Sequence, residues 1–244
     1  MREQSESFGQ AAELYDKVRP RYPEAALRWA LGSTTEVVDL GAGTGILTRQ
    51  LLDLGYRCVA VEPDAQMRQR CADQLADGRT RVLAGSAEAI PLPDGSADAV
   101  IAGQAYHWFD PATAHPEIAR VLRQAGVFAP IWNIRDESVS WVAELTILLR
   151  SQDGAGVNAG WRGPPLDGHF TEVAQKTFPH AARHTPDSLR DLLRSRSYYL
   201  TASDAQRAEL ESDLRELLSR HPDLAGREEF DLPYVTVAYR ARRR

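Results

Sequence analysis

Residues Val37–Gly45 read VVDLGAGTG: a short apolar run closes on an acid and a leucine, then opens into three glycines separated by single residues. A run of that length is a buried strand, and glycines at its end let the backbone turn sharply and leave room for a ligand to lie against it. In a doubly wound sheet ligands bind beyond the carboxyl ends of the strands, and the first turn is a favoured place. The spacing Gly41, Gly43, Gly45 departs from the dinucleotide fingerprint G-x-G-x-x-G, whose third glycine position here holds Ile46. The phosphate-binding pattern G-x-x-x-x-G-K-[ST] is absent too. The loop suits a closely approaching ligand but matches a pyrophosphate poorly.

Working outward, strand and helix signals alternate. Upstream, PEAALRWAL (Pro23–Leu31) has a helix period with proline at its first turn. Strands are expected at Glu36–Leu40, Cys58–Val61, Arg81–Leu83, Ala97–Ala102 and Gly126–Trp132. Helices are expected at Ile46–Leu54 and Ala65–Leu75, with a further one carrying Ile118, Val121 and Leu122 on its core side. This alternation predicts an α/β fold: a doubly wound, mostly parallel Rossmann-like sheet of about seven strands with helices on both faces. After residue 135 the pattern loosens. Trp141–Leu149, Pro186–Leu193 and Ser203–Ser219 have helical period, Phe170–Phe178 suits a strand, and Ser151–Gly168 is a Gly/Pro/Asp-rich loop. Leu210, Leu214, Leu217 and Leu218 give the last helix an apolar stripe. YVTVAY (Tyr234–Tyr239) alternates and is expected to be the final, antiparallel strand, with the preceding helices inserted before it as a lid. The chain is thus expected to be one domain: a covering segment (1–31), a core (36–135), a variable acceptor or lid region (136–229) and a final strand (230–240).

At CVAVEP the second strand closes on Glu62, about twenty residues after the first loop glycine. An acid there accepts hydrogen bonds from both hydroxyls of a ribose and repels a ribose phosphate, which argues against NADP. The formal net charge of −5 argues against nucleic acid as a partner. The terminal Arg242-Arg243-Arg244 is expected to be a solvated end. No window has the character of a signal peptide or a membrane span, so a cytoplasmic protein without membrane contact, monomeric or homodimeric, is expected. Cys58 and Cys71 have no metal spacing and are expected to be buried thiols, and the six histidines form no metal pattern, so no metal is expected.

VVDLGAGTG, VEP with its acid, and GSAEAIPLPDGSADAVIAGQAYHWFD, in that order, resemble the class I S-adenosylmethionine-dependent methyltransferases, nearest to the small-molecule branch of trans-aconitate-type and other HWF-containing enzymes. The resemblance is good over Phe8–Trp132 and looser to the last strand. It implies that S-adenosyl-L-methionine is the cofactor and S-adenosyl-L-homocysteine the product. Gly41, Ala42, Gly43, Thr44 and Gly45 would pass under the methionine part, with Asp39 positioning its ammonium directly or through water. Glu62 would grip the ribose, Pro63 and Met67 would lie beside the adenine, and Ala87 and Glu88 would flank it. Gln104 would lie near the methionine moiety. YDKVRPRYP resembles the N-terminal covering segment, making Tyr15 and Arg19 candidates for the carboxylate end. Two departures stand out. Gln124-Ala125-Gly126 replaces the family's Pro-Gly-Gly, implying a differently built turn, and Pro116 either kinks the helix after Asp110 or forms its first turn.

The resemblance implies methyl transfer by in-line displacement to a small organic acceptor. AYHWFD follows the fourth strand, where the methyl would point. His107 is a candidate base, its unperturbed pKa lying near neutrality; a structural histidine is the alternative. Trp108 and Phe109 either wall the acceptor or pack in the core, and Tyr106 is a candidate cation–π partner of the sulfonium. Tyr198, in SRSYYL, is a candidate lid residue. Competing readings are a non-catalytic cofactor-binding sensor or partner protein, and an NAD-dependent oxidoreductase, which Ile46 opposes.

Overall fold

The computed structural model describes residues 19–75, 78, 80–149, 166 and 168–244. The covering segment's Tyr15 and most of the 151–168 loop lie outside the described residues. The chain divides into two compact units. One comprises Arg21–Asn133, Gly156–Phe178 and Thr236–Arg244; the other comprises Met1–Pro20, Ile134–Ala155 and Pro179–Val235.

In chain order the described elements are α1 (Glu24–Leu31), β1 (Glu36–Leu40), α2 (Ile46–Asp53), β2 (Arg57–Glu62), α3 (Ala65–Gln74), β3 (Arg81–Ala84), β4 (Ala97–Gly103), α4 (Pro111–Val121), β5 (Leu122–Arg135), α5 (Ser140–Leu148), β6 (Phe170–His184), α6 (Pro186–Arg194), α7 (Ser197–Thr201), α8 (Asp204–Arg220) and β7 (Phe230–Arg243). A single 3₁₀ turn, Tyr106–Trp108, follows β4. The strands form one seven-stranded sheet in the order β3-β2-β1-β4-β5-β7-β6, parallel from β3 to β5 and antiparallel at its C-terminal strands. The expected Rossmann-like sheet is what the chain forms. The chain winds from β1 outward to β2 and β3, then returns to place β4 on the other side of β1. That reversal is the switch point at which open α/β sheets hold ligands, and the glycine loop and Gln104 both follow strands that flank it.

β1 and β4 are almost wholly buried, as central parallel strands covered on both faces must be. Asp98, half-buried at the start of β4, is a polar residue with a structural task. It accepts hydrogen bonds from the amides of Thr35 (3.1 Å) and Glu36 (3.0 Å) and the hydroxyl of Thr35 (3.0 Å), and pairs with Arg123. One carboxylate thereby ties the starts of β1, β4 and β5. Burial works to raise its pKa, but the Glu36 amide, Arg123 and Thr35 outweigh that and hold it well below the usual carboxylate range. In the unit that contains Pro179–Val235, the expected stripe of α8 buries Leu210, Leu214 and Leu217 against Leu189, Leu192 and Leu193 of α6 and Trp141, Val142 and Leu145 of α5. Among the described residues no helix is long and apolar enough to cross a membrane.

Several expectations are corrected. Helix α4 starts at Pro111, capped by Asp110 Oδ1, which accepts from the Ala112 amide, so Pro116 lies inside the helix and is not its first turn. Leu122 opens β5 and is not a helix residue. β5 begins four residues before the expected Gly126, because the Gln124-Ala125-Gly126 segment is a bulge within the strand. Ala125 takes a positive φ of 58° there. The final strands are longer than read, β6 running to His184 and β7 from Phe230 to Arg243. The arginine tail is exposed at Arg242 and Arg244, as expected of a solvated end, but it is also tethered. Arg242 bonds the Ala125 carbonyl at 3.2 Å and Glu172 at 3.1 Å, Arg243 bonds the Leu122 carbonyl, and Arg244 bonds that of Phe170 at 3.2 Å. These guanidiniums supply donors to strand-end carbonyls, a use that composition does not reveal.

Replacing Asp98 by Ala is expected to lower stability by about 2–4 kcal/mol in urea unfolding at pH 7, the worth of a few charge-assisted hydrogen bonds. The folded pKa is depressed, so this contribution is present above the unfolded value and is lost on acidification. The gap between wild type and variant should therefore narrow below about pH 4.

Candidate functional site

The site is built at the carboxyl ends of β1, β2 and β4. The chain leaves β1 at Leu40, and the amides of Gly41 and Ala42 both donate to the Val61 carbonyl, at 2.9 and 3.2 Å, which folds the loop over the end of β2. Gly45 caps α2 with φ +84°, and a Cβ there would come within 2.7 Å of the Cys71 sulfur on α3. Gly45 thus performs the helix-packing task that a third glycine has in dinucleotide folds, one position earlier. Gly43 differs. It also has positive φ, +58°, but a Cβ there would meet nothing within 4 Å among the described residues. Packing does not explain this glycine; it leaves bare backbone beside open space.

The Gly43 amide donates to Glu62 Oε2 at 2.8 Å, and the Asp64 amide donates to Glu62 Oε1 at 2.9 Å. Each carboxylate oxygen therefore holds one amide and keeps acceptor capacity. Glu62 is 7% exposed, and its two amide bonds fix the carboxylate beside the loop. Asp64 then caps α3, accepting from the Gln66 and Met67 amides at 2.9 and 2.8 Å. The proline-acid step after β2 is thus a helix start as well as a site edge.

Asp39 is 1% exposed. Its Oδ2 accepts from the Thr48 hydroxyl of α2 at 2.6 Å. Burial raises its pKa to about 7, the Thr48 bond offsets part of that, and the nearby Glu62 charge adds to the rise. A carboxyl poised at neutrality next to a second carboxylate is an acid pair that a cationic group would stabilise in its ionised form.

At the end of β4, Gln104 has φ 54°, a strained conformation for a residue with a side chain. Two bonds hold it there: its amide donates to the Ile131 carbonyl at 2.9 Å and its Nε2 to the Asn133 carbonyl at 3.0 Å. Next to it, the Ala105 methyl would lie 2.7 Å from a Cβ on Gly41, so the ends of β1 and β4 are in close contact. The structure thereby brings together Asp39, the loop Gly41–Gly45, Glu62 and the β4 end.

The remaining predicted residues are distributed as follows. Pro63 is exposed and Met67 half-buried at the start of α3. Ala87 is buried, and the exposed Glu88 accepts from the Asp110 amide at 3.1 Å. Tyr106 is buried, its hydroxyl 3.0 Å from His115 Nε2 and its ring packed among Phe109, Phe128 and Trp132. His107 and Trp108 are exposed with their rings 4.9 Å apart; Trp108 is 80% exposed, which rules out core packing for it. Arg19 and Tyr198 are half-buried and belong to the unit that contains Pro179–Val235. Among the described residues no group of three His, Cys, Asp or Glu side chains could hold a metal ion.

Sequence reasoning missed Thr48 and Asn133, and read Cys71 as the buried thiol it is without its contact to Gly45. Asn133 is buried, accepts from the Thr236 hydroxyl at 2.5 Å and donates to the Arg21 carbonyl at 3.3 Å. A polar residue in the apolar run GVFAPIWN was the available signal for it. Thr48 and Cys71 carry no such signal, since each matters only through a contact with another element.

Residues 38–129 match the family model described as a methyltransferase domain. An uncharacterized methyltransferase of Mycobacterium tuberculosis is 43% identical over 241 residues, covering 98% of this chain and 97% of that one. One of Schizosaccharomyces pombe is 33% identical, covering 92% of each chain. Among solved structures, a candidate type II methyltransferase from Anaeromyxobacter dehalogenans superposes with a TM-score of 0.62 at 26% identity, covering 92% of this chain and 97% of that one.

The unliganded protein is expected to lose stability as pH rises from about 4 through 7, because the folded state holds the Asp39 proton that the unfolded chain releases. The effect is on the order of 4 kcal/mol. Urea midpoints of wild type and Asp39→Asn across pH 5–8.5 check it: the variant should lack that part of the slope.

Proposed function

The chain belongs to the class I S-adenosylmethionine-dependent methyltransferases, and we propose that within this family it methylates a small organic acceptor by in-line displacement, with the cofactor held by the loop and carboxylates at the ends of β1 and β2. The observation that carries the cofactor assignment is Glu62: a buried carboxylate fixed by two amides, with acceptor capacity left, beside a glycine whose missing side chain opens space. These groups fit a nucleoside joined to an amino acid. Glu62 would accept from ribose hydroxyls, with Pro63, Met67, Ala87 and Glu88 around the base. Asp39 would provide the countercharge for an ammonium, directly or through water. The bare backbone of Gly41–Gly45 would admit the chain between them, with Gln104 alongside; Arg19 and Tyr15 are proposed for the carboxylate end.

When bound, S-adenosylmethionine supplies a methyl group already activated by its sulfonium. The protein's task is then orientation and exclusion of water, which can lower a barrier by about 7–11 kcal/mol. A carboxylate acceptor needs no base. For an acceptor that must lose a proton, His107 is proposed as the base, since it is exposed on the turn after β4. Trp108, exposed beside it, and Tyr198 are proposed to contact the acceptor. Tyr106 supports the turn through its His115 bond. A small acceptor is favoured over nucleic acid by the net charge of −5.

Calorimetry with S-adenosylhomocysteine tests the cofactor assignment. Glu62→Gln is expected to weaken binding at least tenfold. Gly43→Ala, whose methyl meets no atom of the described residues, should weaken it as much while costing about 1–2 kcal/mol of stability for its positive φ. Unchanged affinity in both would refute the assignment. Incubating labelled cofactor with cell extract tests the acceptor: the label is expected in the low-molecular-weight fraction, and label confined to protein or nucleic acid would refute a small acceptor.

A further inference from the structure

Thr48 carries no charge and is wholly buried, yet it bonds the more deeply buried of the two acids beside the glycine loop. It lies in the first turn of α2, 0% exposed, and its hydroxyl donates to Asp39 Oδ2 at 2.6 Å. Asp39, Thr48 and Glu62 all belong to the unit that contains Arg21–Asn133. The bond does two things. It fixes the rotation of the Asp39 carboxyl by occupying Oδ2, which leaves Oδ1 for another partner. As a donor to the carboxyl, it also favours the ionised form.

Nothing else around Asp39 supplies a positive charge. Glu62, at the end of β2, is buried as well and its charge acts on Asp39. Among the described residues no Lys, Arg or His lies within ion-pair distance of either acid. At the level of Asp39, β2 contributes Ala60 and β4 contributes Ile101, which do not titrate. The Cys58 thiol of β2 is pushed well up by burial and then by the Asp39 charge, so it stays neutral. On α2, Arg49 bonds the Thr44 carbonyl at 3.0 Å. A buried acid beside a second one, with no cation, is either held protonated or supplied with a counter-ion. Burial accordingly raises Asp39 to about 7, against the opposing Thr48 bond.

We propose that Thr48 is a positioning residue for the cofactor's ammonium: its hydroxyl turns Asp39 so that Oδ1 accepts the ammonium, and Asp39 gives up its proton as the ammonium arrives. The O–H bond of the carboxyl breaks, its proton passes to solvent, and the ammonium keeps all of its own. This rests on the cofactor reading above and adds the device that orients the countercharge.

The test is titration calorimetry of the full chain with S-adenosylhomocysteine and with its desamino analogue, which lacks only the amino group. Wild type should bind the parent about tenfold more tightly than the analogue at pH 8. Affinity for the parent should fall about tenfold from pH 8 to pH 6, because an acid that titrates near 7 is mostly ionised at the first pH and mostly protonated at the second. Heats measured in phosphate and in Tris at pH 7 should report release of about half a proton per parent molecule bound, and about none for the analogue. Thr48→Val keeps the shape and removes the hydroxyl. It should narrow the gap between parent and analogue and move the fall in parent affinity to higher pH, since the lost bond favours the ionised acid. Affinity for the analogue within twofold of wild type shows that the variant has folded. Thr48→Ser keeps the hydroxyl and should restore both the gap and the pH profile, and the wild-type measurements stand without any variant. Equal affinity of wild type for the two ligands, no proton release, or a gap and pH profile unchanged in Thr48→Val would overturn the proposal. Failure of both ligands to bind would instead strike the cofactor assignment, so the two failures are distinguishable.

Discussion

The site depends on one hydrogen bond, from the Gly43 amide to Glu62 Oε2 at 2.8 Å. It joins the turn after β1 to the acid that ends β2 and, with the Asp64 amide on the other oxygen, fixes a buried carboxylate. The backbone can present that amide because Gly43 adopts a positive φ at little cost, and the space beside it stays open because Gly43 has no side chain. Everything proposed for the cofactor follows from this pairing of a fixed acceptor with bare backbone.

The second carboxylate sets the chemistry of the unliganded state. Asp39 is buried beside Glu62 and titrates near neutrality, so the protein carries an electrostatic cost at its switch point. Functional sites commonly store such costs, and a cationic ligand group relieves this one. Gln104 stores another, held at positive φ by its two carbonyl bonds. Both lie where β1 and β4 meet.

Much of this was legible in the sequence because it is encoded locally. The apolar runs of β1, β2 and β4 give their bounds to within a residue or two, and the alternation of strands and helices gives the sheet. The VVDLGAGTG turn and the acid of VEP lie next to each other in sequence-order logic and in space. What escaped was encoded by contact across distance. Thr48 matters because its hydroxyl meets Asp39, and Cys71 because its sulfur abuts Gly45. The tail arginines read as solvated because nothing local reveals that strand ends elsewhere offer them carbonyls. Pro116 reads as either a kink or a first turn because a proline inside a helix costs a hydrogen bond, and only the structure places it inside α4.

The most direct measurement is a crystal structure of the full chain with S-adenosylhomocysteine. The account predicts ribose hydroxyls within hydrogen-bond distance of Glu62 and the amino-acid tail lying over Gly43. A nucleoside bound elsewhere, with Glu62 engaged only by the amides of Gly43 and Asp64, would contradict it.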